Sequence, residues 1–397
     1  MNILFVNNIP FNPCLGGIER VTDILSKELI KNGYHIYYLC GYIDDKQRSM
    51  LDYDFPCPIY ILPEPGLYTS IQNLLFYKSL ITKLNIDIVI NQRGLNSIQN
   101  EILIPEVKTV SVLHSIPNCY MNYILQNILS HPKSLKGYLK YILKIITYPY
   151  IYQKRKNEQL SELSKQYTYI TKKSDAVVLL SNKYKADFLS HIQIPSKIVI
   201  GIPNPNSFPS QNIDYTLKEK NILYVGRLDN VEKNPLRLLK IWKHLYKKHK
   251  DWKLVIVGDG EAKPNMIEFI SNNNLKNIIF EGLQNNLEDY YKKASFICIT
   301  SNFEGWAMSL TEGMIFGCIP FTFNCYGAAS DIIDDDINGC LINPFNIKEY
   351  ANRLSRLMSN NNIRYQMAIN AQMKVRNFDI SKVIYKWISL FQLITNK

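Results

Sequence analysis

Eight cysteines are present but no CxxC pair, so neither a zinc ribbon nor a thioredoxin-like redox motif is available. Several of the eight (Cys14, Cys40, Cys57, Cys119, Cys298, Cys318, Cys325, Cys340) sit in apolar runs, where a thiol packs as a small hydrophobe, and all are read as reduced. No stretch reaches the ~20 apolar residues of a membrane span. The opening Met1-Asn2-Ile3-Leu4-Phe5-Val6 carries no basic leader, which argues against a secretory signal and for a first buried strand in a cytoplasmic chain. Absent too are a GxGxxG fingerprint and a GxxxxGK loop, so a dinucleotide oxidoreductase and a P-loop NTPase are poorly supported. No His, Asp or Cys cluster has metal-ligand spacing; Asp334-Asp335-Asp336 runs into Ile337-Asn338-Gly339 and reads as a solvated turn. No metal is expected.

What remains is globular. With 397 residues, 46% of them hydrophobic and 20% charged, the chain exceeds what one core supports, and two domains are expected. The net charge of +12 favours anionic partners: nucleic acid, anionic lipid or phosphorylated small molecules. No nucleic-acid recognition module appears, and none is expected as a partner.

Short apolar runs alternate with helix-length amphipathic segments, the pattern of βα units around parallel sheets. Expected strands in the first half are Ile3 to Asn7, His35 to Cys40, Ile86 to Ile90, Thr109 to Leu113 and Ala176 to Leu180. A second series begins near residue 220: Ile222 to Val225, Lys253 to Val257, Ile278 to Glu281, Phe296 to Thr300 and Ile319 to Phe323. Between the two lies Gly201-Ile202-Pro203-Asn204-Pro205-Asn206-Ser207-Phe208-Pro209, where Pro and Gly end regular structure, and the hinge is placed there. The expected division is 1–202, 203–376 and a C-terminal helix in 377–397.

In 134–147, Lys136, Lys140 and Lys144 recur every four residues opposite Leu135, Leu139, Ile142, Leu143 and Ile146. This is a basic amphipathic helix expected to stop near Pro149. It fits an anionic membrane surface and a solvated face of a packed helix equally well.

The richest stretch is Ser301-Asn302-Phe303-Glu304-Gly305-Trp306-Ala307-Met308, which follows a strand and enters a helix expected from about Trp306 to Phe316. In doubly wound sheets the ligand crevice lies outside the carboxyl ends of the strands, where this turn falls. Free amides at Gly305 to Met308 would suit anionic groups, and a glycine would let a ligand come close. Glu304 and Glu312 stand about 12 Å apart along the helix axis, too far to flank one bond but apt for two ends of an extended ligand. A dipole-complementing Glu plus an unrelated surface Glu gives the same spacing. Upstream, Gly226-Arg227-Leu228 ends a strand, and Lys233-Asn234-Pro235 opens a helix six residues on. Such a cation pair can neutralise a diphosphate, or be plain solvated surface.

Taken in order, Gly226-Arg227-Leu228 with Lys233-Asn234, Val257-Gly258-Asp259-Gly260, Phe280-Glu281-Gly282, and Glu304-Gly305 with Glu312 resemble glycosyltransferase family 4. Weaker matches are Gly16-Gly17-Ile18-Glu19-Arg20, His114 and Ser181. The resemblance implies the GT-B fold, two Rossmann-like doubly wound parallel-sheet domains facing a central cleft. It implies a retaining, metal-independent transfer from a nucleotide sugar, expected to be a UDP-sugar carrying a hexose or N-acetylhexosamine, to a glycan or lipid-linked acceptor in surface polysaccharide synthesis.

By the same resemblance Arg227 and Lys233 hold the donor diphosphate. Glu304 meets the sugar hydroxyls, Glu312 the ribose, and Gly226, Gly305, Trp306, Ala307 and Met308 line the donor. Gly16 and Gly17 form the loop that closes over the phosphates, and His114 lies near the sugar. The last helix, with Val383, Ile384, Trp387, Ile388, Leu390 and Phe391, crosses back to the first domain. The chain departs from the pattern at Trp306-Ala307-Met308, Gly313 and Asp331, which bears on sugar identity. The alternatives are a GT-B-like UDP-sugar epimerase and a non-catalytic sugar-nucleotide or membrane-binding module.

Overall fold

The computed structural model describes residues 1–65, 70–93, 98, 104–117, 135–192 and 198–396. Within them the chain forms two all-parallel sheets. The first holds β1 (Asn2–Val6), β2 (His35–Cys40), β3 (Ile59–Ile61), β4 (Ile88–Asn91), β5 (Lys108–Leu113), β6 (Ala176–Leu179) and β7 (Ile198–Gly201), in the order β3-β2-β1-β4-β5-β6-β7. The second holds β8 (Glu219–Val225), β9 (Lys253–Val257), β10 (Ile278–Gly282), β11 (Ala294–Cys298), β12 (Ile319–Phe323) and β13 (Cys340–Ile342), in the order β10-β9-β8-β11-β12-β13. These are two Rossmann-like halves of a GT-B architecture. The strand order reverses between β1 and β4 in one sheet and between β8 and β11 in the other, and those switch points open the crevices.

Central strands are apolar along their whole length because helices cover both faces. β4, β6, β11 and β12 are buried at every residue. The last helix, Ile380–Thr395, buries Val383, Ile384, Trp387, Leu390, Phe391 and Ile394, and Phe391 meets Tyr34 of the first half edge-on at 5.9 Å. It packs on the helix Gly17–Lys31, so one core runs through both halves.

Two expectations need correction. Pro149 does not stop a helix: a single helix runs Leu135–Lys173. Proline removes one N–H and costs about 3 kcal/mol in a helix interior, which the helix-forming sequence on its C-terminal side, Gln153 to Gln166, outweighs here. Ser134 and the lysine face of 135–149 lie outside the described residues and side chains. Gly201 closes β7 just before the 202/203 boundary, and its N–H donates to Asn182 Oδ1 at 2.8 Å. Its added Cβ would meet Asn182 N at 2.3 Å, so glycine there serves strand packing rather than flexibility. The helix after Glu304 spans Met308–Ile315, two residues later than expected, because Ala307 leaves helical geometry at φ −82, ψ 82.

The motif glycines meet in a row at the carboxyl ends of β8, β9 and β10. Gly226 N–H donates to Val257 O, and Gly258 N–H to Gly282 O. Gly258 has φ +137, and a Cβ on it would stand 2.0 Å from Gly226 O. No other residue type fits, which explains the Val-Gly-Asp-Gly signature as backbone crowding beneath the crevice. Among the described residues no helix is long and apolar enough to cross a membrane, and the seven described cysteines are free; Cys119 lies outside them.

Candidate active site

The loop after β8 is shaped by Asp229. Its Oδ1 accepts from the amides of Val231, Glu232 and Lys233 at 3.1, 2.6 and 3.2 Å, wrapping the chain so that Lys233 turns toward the loop after β11. Asn234 then takes a left-handed φ of 42 before Pro235, and the helix Leu236–Leu245 follows. Arg237 on that helix clamps the other loop, donating to Thr300 O at 2.7 Å and Asn302 Oδ1 at 2.8 Å. Burial pushes its pKa down to about 10, and the cation lies over the Phe345 ring at 4.3 Å. Sequence reading passed over both Asp229 and Arg237, since nothing in their spacing announces the loops they fasten.

These clamps bring Lys233 and Glu304 together. Lys233 Nζ donates to both Glu304 oxygens at 2.7 Å, and Ser301 Oγ adds 2.6 Å to Oε1. Glu304 is 5% exposed. Burial pushes its carboxyl pKa up, and Lys233 only partly offsets that. Burial works against the Lys233 cation too, but Glu304 and Glu232 outweigh it and hold its pKa above the usual value. The pair is ionic and water-poor, where a charge interaction is strong.

Arg227 is exposed and does not touch Glu304. It meets Glu232 at 2.6 Å, and Glu232 in turn meets Lys233 at 3.1 Å. Glu232 thus joins the two cations singled out from sequence, and its position immediately before Lys233 was the one signal for it.

Glu312 sits at the other end of the same helix region, 2% exposed. Its Oε1 accepts from Arg20 Nη1 at 2.9 Å and Ser207 Oγ at 2.8 Å, and its Oε2 from the Tyr291 hydroxyl at 2.8 Å. Burial, with Glu312 beside it, raises the Tyr291 pKa far enough to keep that hydroxyl a donor. Arg20 belongs to the first half and Ser207 to the linker, so this carboxylate is satisfied across the gap between the sheets.

The first half presses on the Glu304 loop at two more points. A Cβ on Gly305 would fall 1.9 Å from His114 O, so the close approach that requires glycine is by the protein's own backbone rather than a ligand. Tyr184, buried, bridges the Glu304 and Gly305 carbonyls at 3.0 and 3.1 Å with its hydroxyl and accepts from Ala328 N–H at 3.1 Å. The expected row of free amides is shorter than supposed, because Met308 N–H donates to Trp306 O at 3.0 Å. Trp306 packs on Phe378 at 4.9 Å, Ala307 is buried, and Met308 Sδ accepts from Asn204 at 3.6 Å. These three side chains face the linker and the approach to the last helix.

His114 bonds Gln92 Oε1 through Nε2 at 2.6 Å, and burial lowers its pKa to about 4, so the ring is neutral at pH 7. Gly16 precedes the helix Gly17–Lys31 in extended geometry, and a Cβ on Gly17 would meet no atom within 4 Å. Space remains over that loop. The departure at Asp331 is an inter-domain contact, paired with Ser181 at 2.5 Å and Lys183 at 3.1 Å. The acidic turn is ion-paired on its open side: Asp334 to Lys374, Asp335 to Arg353, and Asp336 to Arg353 and Arg356.

Residues 15–205 match the model described as Glycosyltransferase Family 4, and residues 209–374 the one described as Glycosyl transferases group 1. An uncharacterized glycosyltransferase of Haemophilus influenzae is 31% identical over 214 residues, 54% of this chain and 60% of that protein. A Campylobacter jejuni protein is 29% identical over 196 residues, 49% of this chain and 54% of its own. It is named as an alpha-1,4-N-acetyl-D-galactosaminyltransferase acting on an undecaprenol diphosphate-linked glycan. The chain thus spans little more than half the length of these relatives. In structure, a TarM variant from S. aureus, solved with Fondaparinux, alpha-GlcNAc-glycerol and UDP, superimposes with a TM-score of 0.74 at 14% identity, covering 98% of this chain and 100% of that one. The two sequence matches between them take in Arg20, His114, Arg227, Lys233, Glu304 and Glu312, and with the GT-B architecture they make this chain a member of the family 4-like glycosyltransferases.

Proposed function

We propose that the chain transfers a sugar from a nucleotide donor to a glycan or lipid-linked acceptor, with retention of anomeric configuration. The observation that carries this reading is the buried Lys233–Glu304 pair at the switch point of the second sheet. Lys233 can turn from the carboxylate to the donor diphosphate, and Glu304, released, accepts from the hydroxyls of the transferred sugar. Arg227 adds a second cation, Gly226 and Gly305 shape the walls, and Glu312 receives the ribose. The bond from the anomeric carbon to the diphosphate oxygen breaks while that to the acceptor oxygen forms, and the acceptor proton passes to the departing phosphate. Stabilising the charge on that leaving group is the main task, and two cations serve it without a metal. Neutral His114 stands on the sugar side as a hydrogen-bonding group, not a cation.

A UDP-sugar is the proposed donor, in keeping with the UDP in the TarM complex, and an undecaprenol-linked glycan is a proposed acceptor class by analogy with the Campylobacter protein. The test is a panel of UDP-, GDP- and TDP-sugars with lipid-linked oligosaccharide extracts, followed by release of free nucleotide and anomeric analysis of the product. No release with any donor sinks the transferase reading. Isomerised sugar nucleotide without acceptor turns it to the epimerase.

A further inference from the structure

A carboxylate offers about four acceptor positions, two on each oxygen. On Glu312, Oε1 is filled by Arg20 and Ser207, whereas Oε2 carries Tyr291 alone. A ribose diol that grips both oxygens needs one position on each, so one partner of Oε1 has to leave. Ser207 is poorly placed to do so, because neighbouring Asn206 is pinned by its N–H to Phe378 O at 2.8 Å and by its side chain to Val375 O and Asp379 at 2.9 and 2.8 Å. Tyr291 is held too: its ring stacks on Phe316 at 5.9 Å, and buried Lys218 donates to its carbonyl at 2.8 Å. Arg20 differs, with a side chain 33% exposed on the first turn of its helix.

We propose that Arg20 is a clasp exchanged for the donor: it ties the first half to Glu312, and the incoming ribose takes its place. The exchange reaches the glycine loop directly, since Arg20 N–H donates to Gly16 O at 3.1 Å and open space lies over Gly17. Freeing Arg20 lets Gly16-Gly17 move toward the diphosphate, so nucleotide occupancy and movement of the first half are one event. This rests on the reading of Glu312 as the ribose carboxylate, and it adds that the nucleotide competes with an internal cation for that group.

The test is calorimetric titration of the wild-type, Arg20→Met and Arg20→Lys proteins with UDP and with 2′-deoxy-UDP. Arg20→Met keeps the apolar stem but opens one position on Oε1, so UDP binds at least about tenfold more tightly than to wild type, on the scale of one lost charged hydrogen bond. Its preference for UDP over 2′-deoxy-UDP widens, because a lone hydroxyl can take the open position on Oε2 without displacing Arg20 and so gains nothing from the substitution. Arg20→Lys stays near wild type. UDP binding to Arg20→Met that is equal or weaker, with wild type still binding, overturns the exchange while leaving the donor site intact. No binding of UDP, GDP or TDP by any of the three proteins overturns the donor reading itself.

Discussion

Glu304 and Glu312 lie on one short stretch of chain and are both buried, yet they are neutralised in opposite ways. Glu304 finds Lys233 and Ser301 within its own sheet's loops, fastened by Asp229 and Arg237. Glu312 finds Arg20 in the other half and Ser207 in the linker. One end of the cluster therefore draws its charge partner from its own half, whereas the other keeps only Tyr291 from its own half and takes its cation from across the gap. Chemistry that needs fixed geometry belongs at the first end, and a step that couples binding to domain movement belongs at the second.

The widest way to break that contrast is to neutralise each carboxylate in turn. Glu304→Gln leaves half-buried Lys233 with Glu232 but without its nearer anion, and transfer should fall at least ~10²-fold, as for loss of a transition-state electrostatic contact. Unfolding stability should drop by about 3 kcal/mol, the usual scale for breaking a buried pair from one side. Glu312→Gln frees a partly exposed Arg20 that water can take up again, so its stability loss is smaller and appears as looser docking of the halves. Initial rates, urea denaturation and small-angle scattering on both proteins check this; equal stability losses would erase the distinction.

A second test uses pH at the border of the two regions. His114 has its pKa lowered to about 4 by burial, from an ordinary 6.5. The fold therefore favours the neutral ring. The stability this contributes is whole above pH 6.5 and is lost as pH falls through 4, amounting to about 3 kcal/mol. Urea midpoints measured from pH 7 down to 4 should fall more steeply for wild type than for His114→Gln. Parallel curves would mean that the His114 ring beside Gln92 is not held neutral by the fold.

How far these regions were legible in sequence follows the same division. Lys253–Val257 and Ile319–Phe323 are legible to the residue, since a strand covered on both faces is a near-continuous apolar run. Ile59–Ile61, Ile198–Gly201 and Cys340–Ile342 were passed over, and all three are sheet edges of three or four residues, too short for a period to register. Lys233 and Glu304 announced themselves through motifs within one half. Arg20 and Glu312 are 292 residues apart, and no local pattern carries that pairing. Gly305 shows the limit differently: its sequence position suggests room for a ligand, but the atom that crowds it, His114 O, lies in the other half.

Tyr184 sharpens the comparison, being a side chain of the first half that hydrogen-bonds the loop carrying Glu304. Tyr184→Phe keeps the ring but removes the hydroxyl from Ala328 N–H and from the Glu304 and Gly305 carbonyls. Leaving buried backbone groups unpaired costs about 1–3 kcal/mol. The loop carrying Glu304 loses its brace, so kcat should fall more than KM for the donor rises. A pure KM effect would place Tyr184 outside the positioning of Glu304.

The smallest effect on stability is expected at Glu232, and it separates holding a cation from occupying it. Arg227 is 69% exposed at the side chain, so its pair with Glu232 contributes at most about 1 kcal/mol to the fold. For binding, the count of charges matters more. Arg227 and Lys233 supply two positive charges, while Glu232 and Glu304 at 2.6 to 3.1 Å and Asp229 at 4.0 Å supply three negative ones, so an arriving diphosphate meets cations that are already paired. Glu232→Gln keeps the hydrogen-bonding shape and removes one competing charge. Pyrophosphate should bind the variant several-fold more tightly at low salt, with an unchanged thermal midpoint, and the gain should shrink as ionic strength rises. If pyrophosphate binds more weakly instead, Glu232 aims Arg227 and Lys233 rather than standing in for the phosphate. The self-contained end would then depend on its acidic neighbour as fully as Glu312 depends on the other half.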